Sequence, residues 1–419
     1  MIDKHHLMTV IKDQSKSKWE RGKFLPRLTT EFKRSLNHDL IVVISGIRRC
    51  GKSVLLSEIR TRYKKHDFYL NFDDERLVAF DIRDFQILME SFIELYGQQK
   101  VVFFDEIQNV SGWERFVRRL HDDGYKVFIT GSNARMLSKE LGTHLTGRYV
   151  QVELYPFSFA EFIRFKSIDV QALHGTEQRA VLHKLLLQYL KTGGMPEFVK
   201  TNQREYLKAL YEGLIYRDIL ARNRLINERQ IKDMVYFLVS NVGKETTYSS
   251  LARMIGVKHT QTVKEYLHMF ENAYLIFSVN KYDPSLKKQG YAPKKMYIID
   301  NALAAQLGFN FSENRGRMLE NLIFVALKRK GEEIFYYKGT KECDFVVRKG
   351  LRIVSAIQVS VSLRDSITRE REVRGLCEAA DRFGLKEATI ITEDTYDRLT
   401  VNRMNINMVP AWAWLLEHQ

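Results

Sequence analysis

The stretch "LIVVISGIRRCGKSVLLSEIRTRYKK", residues 40–65, decides how the chain is built. Its opening run of aliphatic residues reads as a strand buried on both faces, the pattern of a parallel sheet. Its second half, "SVLLSEIRTRYKK", carries apolar residues at helical spacing. Between them lies G-x-x-x-x-G-K-S, the Walker A spacing. A glycine loop between a strand and a helix N-terminus holds phosphate through backbone N–H groups and the helix dipole. The candidate nucleotide-binding residues are Gly46, Ile47, Arg48, Arg49, Cys50, Gly51, Lys52, Ser53 and Val54. Gly46 and Gly51 permit the backbone path, Lys52 reaches the β- and γ-phosphates of ATP, and Ser53 ligates Mg²⁺. Cys50 reads either as small filler or as a thiol, activated by the helix N-terminus, whose modification blocks nucleotide.

A second apolar strand, "KVVFFDEIQN" at 100–109, ends in Asp105-Glu106, a Walker B pattern. Asp105 is expected to hold the Mg²⁺ shell and Glu106 to polarise the attacking water, although an Asp-Glu pair at a strand end also serves as a helix cap. "YKVFITGSNA" at 125–134 follows as a third strand, with Ser132 and Asn133 placed to meet the γ-phosphate or the water. In "LTGRYVQVELYPFSF" at 145–159, Arg148 precedes a further strand. Taken in this order, the four stretches resemble the ATPases of the AAA superfamily. The likeness is greatest to a prokaryotic group that carries a C-terminal domain of unknown function. The resemblance implies a sensor asparagine at Asn133 and an arginine finger at or near Arg148, acting on a neighbour's nucleotide in a homo-oligomer. A surface salt bridge is the other reading of Arg148.

Residues 158–227 read as helices punctuated by "GGMPEF" at 193–198, expected to form a lid over the nucleotide; Arg217 is either a second phosphate sensor or a surface charge. Residues 228–300 change character. An amphipathic helix, a helix–turn–helix with Gly256 in the turn, and two strands around "PSLKKQGYAPKK" follow in the order of a winged helix. If it binds DNA, Lys258, His259, Gln261, Thr262 and Lys264 lie near the start of the recognition helix, and Lys287, Lys288, Lys294 and Lys295 load the wing. A winged helix used only for packing or protein contacts is the alternative.

Residues 301–419 resemble the restriction-endonuclease-like fold: a helix with Glu320, then strands with Asp344 and Gln358. The resemblance puts Asp344 on the metal-binding Asp, Gln358 on the Glu and Ser360 on the Lys of Glu-x-Lys, with Glu320 as the helix acid. Gln358 is a neutral, weaker ligand and Ser360 lacks the lysine charge; Lys338 or Lys341 could stand in. A degenerate copy without nuclease activity is expected.

The sequence therefore gives an α/β fold class: an AAA-like P-loop parallel sheet with a helical lid, then a winged helix and an α+β nuclease-like domain. The expected boundaries are 1–38 for a basic N-terminal helical segment, 39–157 for the ATPase core, 158–227, 228–300 and 301–419. At 419 residues several domains are needed. A net charge of +15 favours a polyanion, DNA first. The three cysteines lack metal spacing and fit a reducing compartment; no apolar run is long enough to span a bilayer, and the start is no secretory signal, so the cytoplasm is expected and a membrane partner is not. The functional expectation is Mg²⁺-dependent ATP hydrolysis coupled to DNA binding or remodelling. A nucleotide-controlled switch on a protein partner and an ATP-linked nuclease are the rivals.

Overall fold

The computed structural model describes residues 2–15, 25, 27, 38–63, 68–132, 145–170, 172, 174–223, 225–307 and 314–418. The chain divides into two compact units, Met1–Leu154 and Tyr155–Gln419.

In the first unit the elements run α1 (Lys4–Ser15), β1 (Ile41–Ser45), α2 (Lys52–Arg62), β2 (Phe68–Asn71), α3 (Asp84–Tyr96), β3 (Val101–Asp105), α4 (Trp113–Asp122), β4 (Lys126–Gly131) and β5 (Tyr149–Glu153). The sheet is wholly parallel, in the order β2-β3-β4-β1-β5. Every residue of β1 is buried, as its unbroken aliphatic run predicts. Successive side chains point to opposite faces. Phe104 faces a core shared with α1, α3 and α4, while Phe103 stacks on Phe128 at 4.7 Å and meets Tyr63, just past α2, edge-on. Because β4 lies between β1 and β3, the carboxyl ends of β1, β4 and β3 converge on one edge.

Helix α1 opens the expected N-terminal helical segment, and its Leu7, Val10 and Ile11 are buried in the same cluster as Phe68 and Phe92. The Gln14 amide donates to Asn71 O and accepts from Asn71 N–H, at 3.1 and 2.7 Å, and so adds α1 to the end of β2.

The second unit begins with helices α5 (Phe159–Phe165), α6 (Gly175–Thr192), α7 (Pro196–Thr201) and α8 (Arg204–Gly213), which runs on as a π-helix over Leu214–Ala221. There follow α9 (Glu228–Ser240), β6 (Glu245–Thr246), α10 (Tyr248–Met254), α11 (Thr260–Asn272), β7 (Ile276–Lys281), α12 (Leu286–Tyr291), β8 (Lys294–Ile298), α13 (Asn301–Gln306), α14 (Arg315–Arg329), β9 (Glu333–Lys338), β10 (Glu342–Lys349), β11 (Arg352–Ser360), α15 (Ser366–Phe383), β12 (Glu387–Thr392), β13 (Asp397–Val401), β14 (Met404–Pro410) and α16 (Ala411–Glu417). Among the described residues the strands of this unit form one nine-stranded sheet in the order β13-β14-β12-β11-β10-β9-β7-β8-β6.

That continuity bears on the expected division at 300. The hairpin β7–β8, read as the wing, pairs through β7 with β9 of the nuclease-like region, in parallel and over Asn280↔Phe335 and Lys281↔Tyr336. The division therefore runs through a single sheet. The helices expected as a lid also belong to this unit. Asp300, buried between β8 and α13, accepts the N–H groups of Gly194 at 2.6 Å and Ala302 at 2.9 Å. It lies so near Gly193, at φ +60°, that a Cβ there would come within 2.1 Å of its oxygen. The "GG" turn is thus the socket of a buried carboxylate. Among the described residues no helix is long and apolar enough to cross a membrane.

Candidate functional site

The phosphate loop leaves β1 at Ser45 and enters α2 at Lys52. Gly46 has φ +150°, and a Cβ on it would stand 2.1 Å from the carbonyl oxygen of Leu154, so only glycine fits. Gly51, at φ +104°, sits directly before α2 and leaves the first N–H groups of that helix open. Lys52 is buried, and its ammonium lies 3.3 Å from both Gly46 O and Ile47 O and 3.4 Å from Glu106 Oε1. Burial is the largest single influence and opposes its charge, but Glu106, Cys50 and Asp105 together outweigh it and raise its pKa. A lysine so held carries a full charge to an incoming phosphate. The Arg27 guanidinium, also buried, donates to Cys50 O at 2.7 Å and braces the loop from outside.

Asp105 and Glu106 follow β3 on the same edge. Thr130 of β4 joins them: its hydroxyl donates to Asp105 Oδ1 at 2.5 Å and accepts the Glu106 N–H at 2.9 Å. Burial, then the charge of Glu106, push the Asp105 pKa up to about 6, against the Thr130 and Ser53 hydroxyls. Glu106 sits at φ +52°, a left-handed conformation costly for a residue with a Cβ, which points to a site that over-determines it. Burial works against its charge, but Lys52, Gln108 and Arg48 outweigh it and hold the carboxylate below its ordinary range. Gln108 Nε2 donates to Glu106 Oε2 at 2.5 Å.

The donor set fits a divalent cation. Asp105 Oδ2 is buried and, among the described residues, has no hydrogen-bond partner. Ser53, a half-buried hydroxyl in the first turn of α2, is the natural second ligand. Ser132 Oγ, just past β4, is likewise buried without a partner. Asn133 lies outside the described residues.

Cys50 is fully buried, and burial raises its thiol pKa, which corrects the expectation of a thiol activated by the helix end. Arg148 precedes β5 at the opposite edge of the sheet from the phosphate loop: its carbonyl accepts the N–H of Ile41, the first residue of β1. Five residues of strand, ~16 Å at 3.3 Å per residue, separate it from its own loop. Its side chain pairs with Asp122 at 3.2 Å, both partly exposed. Arg217 is exposed on the π-helical stretch.

Of the DNA candidates, Lys258, His259 and Lys264 are exposed before and along the start of α11, and Lys287 and Lys288 are exposed on α12, a short helix where an open wing loop was expected. Lys294 and Lys295 are not available to a polyanion. They belong to β8 and are buried at 5% and 1% exposure. Lys294 donates to Asn280 Oδ1 at 2.5 Å and to Gln289 O at 3.2 Å. Lys295 turns to the other side of the strand and reaches the acidic cluster of the nuclease-like region.

There the structure brings Glu320 of α14 and Asp344 of β10 together around the Lys295 ammonium, with Glu342 as a third carboxylate. Burial and the nearby Asp344 push the Glu320 pKa up to about 7, against Lys295 and Tyr297. Gln358 does not face this centre. Its amide oxygen accepts the Asp344 N–H at 3.1 Å and its NH₂ donates to the buried Glu372. Ser360 donates to Ser362 O at 3.1 Å. Lys338 pairs with Glu245 and lies 3.8 Å from Glu342. Sequence reasoning missed Lys295 in this role, and also Thr130, Gln108 and Arg27. A signal existed for the first: Lys295 and Tyr297 share one face of a strand, by the period of two, and both reach Glu320.

With this geometry in hand, comparisons with known proteins are informative. Residues 38–163 match a family model described as an AAA domain, and residues 183–314 match one described as a domain of unknown function, DUF8612. The second match takes in the later part of the expected lid, from residue 183, together with the whole of the expected winged helix. The chain is similar to the uncharacterized protein MJ1544 of Methanocaldococcus jannaschii, 35% identical and covering 90% of this chain and 88% of that protein. An uncharacterized protein of Haemophilus influenzae is 31% identical, covering 95% of this chain and 99% of its own length. MJ1637 of M. jannaschii is 22% identical over 78% and 76% of the two chains.

Proposed function

The chain belongs to one family with MJ1544 of M. jannaschii, its first unit is of the AAA P-loop type, and from that premise we propose that it hydrolyses ATP with Mg²⁺ and couples nucleotide state to DNA. The observation that carries the hydrolytic reading is the convergence of Lys52, Asp105, Glu106 and Thr130 on one edge of the sheet, with a buried carboxylate oxygen left over. Lys52 neutralises the β- and γ-phosphates. Ser53 and Asp105 would hold the Mg²⁺, which would offset the negative charge of the phosphates. Glu106, kept ionised by Lys52 and Gln108, takes the proton of the attacking water. Thr130 fixes both acids through one hydroxyl. Arg148 lies too far from its own loop to serve it, so as a finger it would act in trans on a second copy; its exposed ion pair with Asp122 supports the other reading, a surface salt bridge.

DNA is favoured as the coupled ligand by the net charge of +15 and by the exposed Lys258, His259, Lys264, Lys287 and Lys288. A second reading, a nucleotide-controlled switch acting on a protein partner, gains support from the withdrawal of Lys294 and Lys295 into the interior. ATPase rates measured without DNA and with single-stranded, duplex and branched DNA separate the two. Stimulation that fades steeply with salt supports DNA; a rate indifferent to every DNA form removes it.

A further inference from the structure

Lys295 Nζ lies 2.7 Å from Glu342 Oε1, 2.9 Å from Asp344 Oδ1 and 3.1 Å from Glu320 Oε1. A lysine ammonium has three donors. Two donate hydrogen bonds, to Glu320 and Asp344, Glu342 adds an ion pair, and the side chain is 1% exposed, so three carboxylates and little solvent surround the ammonium. The outer oxygen of Asp344 is also engaged, Oδ2 accepting the Val359 N–H at 3.0 Å, and Tyr297 OH donates at 2.6 Å to the same Glu320 Oε1 that faces Lys295. Gly243, at φ +74°, closes over Glu320 so tightly that a Cβ would come within 2.8 Å of Oε2. Three carboxylates brought this close, two of them nearly buried, need a cation between them.

We infer that Lys295 is the resident cation of this cluster, standing where a divalent metal would have to stand, so that the second unit keeps its acidic residues assembled without metal and does not cleave phosphodiesters. The spacing is that of N–H···O bonds, whereas Mg²⁺ needs oxygens at about 2.1 Å and Ca²⁺ at about 2.3–2.6 Å, so metal and ammonium exclude one another. The two positions at which the chain departs from a nuclease pattern, Gln358 and Ser360, both turn to internal hydrogen bonds, which fits a centre that no longer recruits a ligand. Vacating the lysine would leave three convergent carboxylates, a donor set for a hard cation.

The test is Mn²⁺ titration of nucleotide-free protein, with free Mn²⁺ read by EPR, in an Asp105→Asn background that silences the phosphate-loop site. With Lys295 intact, no Mn²⁺ is expected at the cluster. Lys295→Ala should gain one Mn²⁺ per chain, at least ten times tighter than any site of its parent, and adding Asp344→Asn should abolish it. If Lys295→Ala does not fold, Lys295→Ala with Glu320→Gln, which carries one buried charge fewer, replaces it. Mn²⁺ bound by the parent and released by Asp344→Asn overturns the inference. So does a folded lysine-less variant that binds none, or Mn²⁺-dependent DNA cleavage by the wild type that Asp344→Ala removes.

Discussion

Replacing Lys287 and Lys288 together by Ala tests the DNA reading where it is most exposed. Both side chains stand in solvent on α12, while Gln289 beside them is buried and donates to Asp283 O at 2.6 Å. The helix is therefore anchored without its lysines, and folding and basal ATP turnover should be unchanged. The magnitude follows from counterion release. Each neutralised phosphate adds about −0.9 to the slope of log affinity against log salt, so losing two contacts flattens the slope by up to about 1.8. Between about 50 and 200 mM salt this is about 3.5-fold per contact, so wild-type affinity should fall about 12-fold further than that of the double variant. Fluorescence anisotropy with a labelled duplex across that range reads the slope directly. The buried Lys294 and Lys295 must be left in place, because removing them perturbs the fold and not a contact surface. An unchanged slope in a variant that melts like the wild type would refute a role for α12 in tracking phosphates and bring the protein-partner reading forward.

Other expectations are as direct. Glu106→Gln should retain ATP but slow turnover by about 10² or more, since it loses the proton acceptor, whereas Lys52→Ala should weaken nucleotide binding itself; equal turnover in Glu106→Gln and wild type would remove the assigned base. Arg148→Ala should bind ATP normally and hydrolyse it slowly, and mixing it with Glu106→Gln subunits should restore activity; no rescue, with a monomer by light scattering in ATP, counts against a finger in trans. Cys50, buried with a raised thiol pKa, should react with iodoacetamide far more slowly than the half-buried Cys377, as mass spectrometry of timed digests would show. Glu320 has a folded pKa of about 7 against an ordinary 4.5, so the folded state binds the extra proton between those values and stability from this group falls as pH rises through that window; Glu320→Gln should flatten the fall in Tm between pH 5 and 7, and an unaltered profile would refute the assignment.

The phosphate-loop edge was legible because its signals are local. A buried strand, a glycine loop and an acidic strand end each carry their meaning within about ten residues. Thr130 was passed over because its importance comes from β4 lying between β1 and β3, a strand order that no single stretch encodes. Arg27 was missed for a similar reason: its partner, Cys50 O, is a backbone atom 23 positions away. The wing lysines show the reverse failure. "KK" near a Gly/Pro loop reads as solvated, yet Lys294 and Lys295 belong to a strand with neighbours on both sides, β7 and β6, and the carboxylates around Lys295 come from α14 and β10, far along the chain. The division at 300 takes no account of the parallel pairing of β7 with β9, which leaves no local trace in sequence.

That pairing has a consequence for how this protein can be cut, shuffled or inherited. A chain ended at residue 300 would bare the β7 edge at Asn280 and Lys281 and leave Lys295 and Tyr297 facing carboxylates no longer there. Bare edges invite pairing with other chains, and a lone buried ammonium is costly. The hairpin and the strands after it can thus persist only as a single heritable block. Chemistry at Gln358 and Ser360 is free to erode while the strand that carries them is not, because β11 and its neighbour β10 are warp threads in the middle of the cloth, with strands bound to them on both sides.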